Sequence, residues 1–199
     1  MAIVVEHEKR RFEILEKALD IFIEEGYEDA TFQKIADRCG ITRTTLYLYF
    51  KNKREIFTWS IKQLTDGVET DLLDTIQDES LSFATRLESI MHTILDRCTE
   101  NRRLFNVVLT YLLQAQKSGK DPDTRVKRRT IRLRHLLSRL LIAGIRAGEF
   151  RRITVKDANE LLYGLIEAAI YRIAVLDHPD TFDVKAAVTL AVNGLKAEI

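Results

Sequence analysis

Apolar side chains recur at intervals of three and four along most of this chain, and no run alternates in the way a strand requires. Phe12, Leu15, Leu19 and Phe22, widened by Ala18 and Ile23, predict an amphipathic helix over residues 6–25. Gly26 follows, at the position where a left-handed residue usually ends a helix. Thr31 then reads as an N-cap, its hydroxyl able to accept from a free backbone N–H of the next turn. Phe32, Ile35 and Ala36 give a short second helix its buried side, and Cys39-Gly40 breaks it. Thr42 caps a third helix, with Leu46 and Phe50 four apart on one face. A fourth begins at Asn52-Lys53-Arg54 and runs through Ile56, Phe57, Ile61 and Leu64, to be bent or ended at Gly67. The same periodicity predicts helices over 81–98, 104–116, 124–146, 155–176 and 181–198. KSGKDPD (117–123) is the clearest loop, and DHPD (177–180) separates the last two helices. The expected fold is all-α, with an N-terminal three-helix domain over 1–54 and a larger helical domain over 55–199.

A capped short helix, a glycine turn and a second short helix make a helix-turn-helix. Ala36 lets the helices cross closely, Gly40 makes the turn, and Leu46 anchors the second helix. In such a motif that helix enters the major groove of DNA and reads bases with its N-terminal residues. Thr42, Arg43, Thr44 and Thr45 are short or rich in donors. Arg43 suits guanine O6 and N7, and a threonine methyl suits the thymine methyl. Tyr47 and Tyr49 carry hydroxyls that reach phosphates, and Lys53 lies at a helix start, where free amides also favour anions. The plainer alternative is a three-helix bundle with a solvated basic face; the order of the features favours the first reading.

Charge sharpens this locally and not globally. The 199-residue chain has a net charge of only +1, yet residues 31–54 hold Lys34, Arg38, Arg43, Lys51, Lys53 and Arg54 against Asp37 alone. Local positive charge is what phosphate binding needs. No apolar run approaches the ~18 residues that span a bilayer, and the apolar residues before Glu6 are too few for a signal-peptide core. The cytoplasm is therefore the expected compartment, with no membrane partner. Cys39 and Cys98 make no disulfide framework and read as small buried hydrophobes rather than redox sensors. There is no Gly-rich phosphate loop, no paired-histidine metal spacing and no G-x-S-x-G. His7, His92, His135 and His178 are scattered. No catalytic residue, metal or cofactor is expected, and the chain is not read as an enzyme.

TFQKIADRCGITRTTLYLYFKNKREIF (31–57) resembles the DNA-binding signature of the TetR family of bacterial transcriptional regulators. The match lies in Thr31, Ile35-Ala36, Gly40-Ile41, Leu46-Tyr47, Tyr49-Phe50 and Lys53. The chain departs from it at Cys39, Thr44, Leu48 and Arg54. At Leu48, often a polar aromatic in the family, only an apolar surface is offered. The resemblance implies a phosphate contact at Thr31 and, beyond the signature, a helical ligand-binding and dimerisation domain. Its last two long helices would pair with their copies in a four-helix bundle. It also implies a homodimer on a palindromic DNA operator, with repression, the family's common outcome, relieved by a small-molecule effector. A DNA-bound protein acting through a protein partner, with no small effector, stays open beside it.

Independently, Leu161, Gly164, Leu165 and Ala168, and Ala187, Val188, Ala191 and Leu195, lie on helices apolar nearly all round, which need burial on more than one side. They are the expected dimer interface, with a monomeric core as the alternative. Asn106, Thr110 and Gln114, four apart on an apolar helix with Tyr111 beside them, are candidate effector contacts, together with Tyr163 and Glu167. Polar groups in an apolar wall mark a pocket, although a solvated stripe reads the same way. Arg125, Arg128, Arg129, Arg132 and Arg139 form either a solvated basic face or a contact for anionic ligand groups or lipid.

Overall fold

The computed structural model describes residues 2–119, 124–178 and 180–197, and their side chains except at 2–5, 64, 65, 67 and 124–130. The side chains of Arg125, Arg128 and Arg129, residues 120–123 of the first loop, and Pro179 lie outside the described residues.

Nine helices follow one another among these residues: α1 (Ala2–Asp29), α2 (Phe32–Cys39), α3 (Arg43–Tyr49), α4 (Lys53–Gln77), α5 (Phe83–Glu100), α6 (Arg102–Lys117), α7 (Thr124–Arg146), α8 (Val155–Ala174) and α9 (Phe182–Leu195). No strand interrupts them there. An isolated bridge joins Phe150 to Lys196, where Arg151 N–H donates to Leu195 O and Ala197 N–H to Glu149 O, each at 2.9 Å. That pairing straightens the chain after Leu195, so α9 stops short of the expected 198. Helix α1 starts earlier than its apolar stripe implied. Its buried line is Ile14, Leu15, Ala18, Ile21 and Phe22, while Phe12 is half exposed. Gly26, at φ 84°, interrupts the regular helix as expected. At Gly67 the fourth helix does not end.

The chain forms two compact units, Met1–Gly67 and Val68–Ile199. The division falls inside α4, because the first half of that helix packs on α1. Phe57 meets Phe22 edge-on at 4.9 Å, and the Ser60 hydroxyl donates to Leu15 O at 2.9 Å. In the first unit, Ile35, Ala36, Leu46, Phe50, Ile56 and Phe57 are buried with the α1 line. In the second, α5 is buried along Leu87, Ile90, Met91, Ile94, Leu95 and Cys98 and packs against α7, α8 and α9. Its first turn is held by Glu149, whose carboxylate accepts from Phe83 N–H at 2.8 Å and Ala84 N–H at 2.6 Å. A carboxylate there satisfies amides that the helix cannot and complements its dipole.

Close packing fixes Gly144. A Cβ there would overlap the Phe150 ring, which is itself buried, and would crowd Phe83. Gly144→Ala is expected to destabilise the protein by about 1–3 kcal/mol, the usual cost of overpacking. A lowered midpoint in urea unfolding checks this; an unchanged midpoint would mean that Phe150 moves aside freely.

Candidate nucleic-acid interface

The turn between α2 and α3 is set by backbone hydrogen bonds. Gly40 takes the left-handed conformation at φ 66°, ψ 34°. Its N–H donates to Asp37 O, and Ile41 N–H reaches back to Ala36 O, both at 3.0 Å. Thr31 and Thr42 cap the two helices as expected, accepting from Lys34 N–H at 3.2 Å and Thr45 N–H at 3.1 Å. The Thr42 and Thr45 hydroxyls also share a hydrogen bond of 2.8 Å.

Helix α3 buries Leu46, which is fully enclosed, and turns Arg43, Thr44, Tyr47 and Leu48 outward. The Arg43 guanidinium lies along the helix, donating to the Tyr47 hydroxyl at 3.2 Å and sitting 5.7 Å from that ring's centre. Tyr47 in turn stacks on Phe32 at 4.5 Å. Thr45 and Tyr49 are half-buried, and the Tyr49 ring stacks on His7 of α1 at 4.6 Å. Thr31 is exposed at the start of α2. The structure therefore gathers Thr42, Arg43, Thr44, Tyr47 and Leu48 on one short exposed surface.

The basic character of the segment is smaller in space than along the chain. Lys34 pairs with Glu25 at 2.7 Å and Arg38 with Glu24 at 2.7 Å. The hydrogen bond from Arg38 holds the Glu24 carboxyl below its usual range. These acids lie on α1, outside residues 31–54. Lys53 is the larger surprise. Its ammonium donates to Tyr27 O at 2.7 Å and Glu28 O at 3.0 Å and sits 4.5 Å over the Tyr27 ring. Burial lowers its pKa below the usual lysine value, against the pull of Glu28 and Asp29. Lys53 thus closes the end of α1, a use that the spacing of the motif gave no means to see. Cys39 and Cys98 are both buried. Desolvation raises the Cys39 thiol pKa and carries that of Cys98 to about 12, which keeps it in the unreactive thiol form.

In the second unit the four α6 candidates do not share one environment. Asn106 and Thr110 are exposed, the Thr110 hydroxyl donating to Asn106 O at 2.9 Å. Tyr111 is buried, and Gln114 is half-buried with its Oε1 enclosed and without a hydrogen-bond partner. At 3.6 residues per turn a spacing of four drifts around the helix, so Gln114 lies about 80° from Asn106. Glu167 is exposed. Tyr163 is half-buried beneath the Arg134 guanidinium, 4.1 Å from its ring centre.

A cleft of about 370 Å³ opens between α7 and α8 instead, lined by Ile131, Arg134, His135, Ser138, Lys156, Asn159 and Glu160. None of the candidate effector residues lines it. Arg134 is bound to Glu160, and the hydrogen bond lowers that carboxyl's pKa. Asn159 is buried and donates to Arg134 O at 2.6 Å and Ser138 Oγ at 2.7 Å, leaving its Oδ1 unpaired. An asparagine among the apolar positions of α8 was the available signal for it. Of the basic face on α7, Arg132 reaches Glu69 at 3.4 Å and Arg139 is exposed.

The dimer candidates divide similarly. Leu161 and Ala168 are exposed and Gly164 is half-buried, with open space where its Cβ would be. Leu165 and Ala191 are half-buried against the core of their own protomer, and Ala187 is half-buried. Val188 and Leu195, at 0% and 4% exposure, are buried in that core. The apolar surface left open on and beside these helices is Leu161, Ala168 and Tyr171 on α8, Val175 and Leu176 just after it, and Phe182, Ala186 and Leu190 on α9.

Residues 14–58 match the model of "Bacterial regulatory proteins, tetR family". Over 159 residues, 79% of this chain and 80% of the relative, the chain is 23% identical to the "Fatty acid metabolism regulator protein" of Bacillus subtilis. It is 29% identical over 175 residues to the HTH-type transcriptional regulator YfiR of the same organism, covering 82% of each. Among solved structures, a TetR transcription regulator from Haloarcula marismortui superposes with a TM-score of 0.83 at 20% identity, over 96% of this chain and 100% of that one. The regulator FadR from Bacillus subtilis, in complex with stearoyl-CoA, gives 0.72 at 21% identity, over 94% and 97%. At these identities the two structures establish a shared fold. All four are regulators by name.

Because Lys53 bonds two carbonyls of α1, Lys53→Ala is expected to lower the stability of the protein without DNA by about 1 kcal/mol. Thermal unfolding of the free protein checks it. An unchanged midpoint, with DNA binding alone impaired, would make Lys53 a phosphate contact only.

Proposed function

We propose that this chain, a transcriptional regulator of the TetR family by its residues 14–58, is a homodimeric repressor that a small-molecule effector releases from a palindromic operator. The observation that carries the DNA side is the exposed row Thr42, Arg43, Thr44, Tyr47 and Leu48 on a helix locked by a left-handed glycine turn. Such a helix lies in the major groove, and two copies in a dimer meet half-sites about one helical turn apart, ~34–36 Å. Thr31 and Tyr49 flank this row and are assigned to the DNA backbone. The working division is a DNA-binding domain over 1–54 and an effector and dimerisation domain beyond it.

The effector side rests on Gln114, whose enclosed Oε1 lacks a donor, next to the buried Tyr111. A ligand donor would relieve that cost, ~1–3 kcal/mol for an unsatisfied buried group. An effector needs little more, since coupling of ~1–3 kcal/mol changes DNA affinity ~5–150-fold. The likeness to a regulator solved with stearoyl-CoA makes a long-chain acyl-CoA the first probe. Action through a protein partner, with no small effector, is the second reading.

The test is titration of the duplex this protein enriches from a random pool, with and without stearoyl-CoA. Arg43→Ala should weaken that complex by ~1–3 kcal/mol and relax preference at one base pair. Equal losses on enriched and random DNA would remove Arg43 from base readout. Failure of every acyl-CoA to release the duplex would favour the partner reading.

The open apolar surface on α8 and α9 supports the dimer. Ala168 is exposed in the protomer, so Ala168→Arg should fold. In a dimer the same cation is buried without a partner, at a cost of several kcal/mol. Sedimentation is expected to give a dimer for the natural protein and a monomer for Ala168→Arg. A natural protein that sediments as a monomer at micromolar concentration would overturn the dimer.

A further inference from the structure

The exposed face of α3 consists of two parallel rows, because residues four apart on a helix stand one above the other. Arg43 and Tyr47 form the first and are tied together by a hydrogen bond. Thr44 and Leu48 form the second, and both are exposed. Leu48 is 75% exposed, more than Phe12 at 50% or Tyr47 at 49%, the other large apolar residues left open among the described side chains of the first unit. Two positions earlier, Leu46 is fully buried. Leu48 therefore lies outside the core, and its apolar surface stands in water at the last turn of a seven-residue helix.

Its surroundings restrict what can cover it. The guanidinium of Arg43 flanks it on the neighbouring row, the hydroxyls of Thr42 and Thr44 lie on the turn before, and Lys51 is exposed just beyond the helix. A protein groove would have to bury those charges, which are depleted from the centres of protein interfaces. A major groove accepts them, and it presents one apolar group to a side chain without donors or acceptors, the C5 methyl of thymine.

We infer that Leu48, with the Thr44 methyl beside it, reads a thymine methyl, so that this helix divides its work between a polar row for base edges and phosphates and an apolar row for thymine. The inference rests on the DNA-binding reading above. The probe is the duplex that the natural protein enriches from a random pool, with each thymine replaced singly by deoxyuracil. That change removes only the methyl and leaves base pairing intact. One thymine in each half-site is expected to lose about fourfold in affinity on demethylation, the value of burying one methyl-sized group. Leu48→Ala should bind the thymine and uracil forms of that site equally, and Thr44→Ser should narrow the difference. Leu48 is outside the core, so Leu48→Ala should keep the unfolding midpoint of the natural protein; a Leu48→Gln variant gives the same readout with the side-chain length kept. Uracil tolerated without loss at every thymine, while the enriched duplex is still preferred over random DNA, overturns the inference alone. So does a Leu48→Ala protein with the same thymine preference. If no duplex is enriched at all, the DNA-binding reading falls and this inference with it.

Discussion

The left-handed residue at position 40 is the constraint on which the exposed face of α3 depends. Only glycine enters that conformation without the clash between Cβ and carbonyl that costs other residues roughly 1–2 kcal/mol. The space where a Cβ of Gly40 would stand is empty, so the requirement is one of backbone conformation and not of packing. Once Gly40 is left-handed, Ile41 N–H meets Ala36 O and the chain leaves α2 sharply. Thr42 can then begin α3 at once, with its hydroxyl on Thr45 N–H. Leu46 and Phe50 are carried inward by this start, and Arg43, Thr44, Tyr47 and Leu48 are carried outward. A different exit from α2 would rotate that assignment.

The frame that holds the turn comes from α1. Arg10 donates to Cys39 O at 3.1 Å, at the end of α2, and Lys53 closes the end of α1 from the start of α4. Glu24 and Glu25 take up Arg38 and Lys34. Exposed pairs of this kind add little stability, with a typical value of ~0–1 kcal/mol. Their larger effect is on the field: they neutralise the cations beside α2 and leave Arg43 and Lys51 exposed at and just beyond α3. Positive charge is thus concentrated where a groove would be entered, in a protein whose net charge is +1.

Helix positions were largely legible in the sequence because apolar periodicity and caps are local signals. Thr31, Gly40 and Thr42 each act on backbone groups within four residues, and each acts as the sequence predicts. What could not be read depends on contacts between distant positions. The bonds of Lys53 to the carbonyls of Tyr27 and Glu28 were hidden because those carbonyls lie 26 and 25 residues away. The burial of Val188 and Leu195 within the protomer was not legible, because a helix that is apolar on several sides does not say which side its own protomer covers. The contacts of Asn159 carry no local signal because its partners, Arg134 O and Ser138 Oγ, are on another helix. The α6 stripe failed as a single surface for a simpler reason: a spacing of four is close to the helical repeat and not equal to it.

Helix α4 takes part in both units. Ile56, Phe57 and Ser60 in its first half pack on α1, while Leu72 in its second half belongs to the core built around α5. Gly67 lies at the division and does not break the helix. Each half is therefore held by the core of its own unit: Ile56 and Phe57 are fully buried in the first, and Leu72 is buried in the second. A glycine inside a helix costs only about 1 kcal/mol relative to alanine. Burying a large apolar side chain is worth about 1.5–3 kcal/mol, so the packing on either side of Gly67 outweighs its poor helix propensity and α4 runs through it.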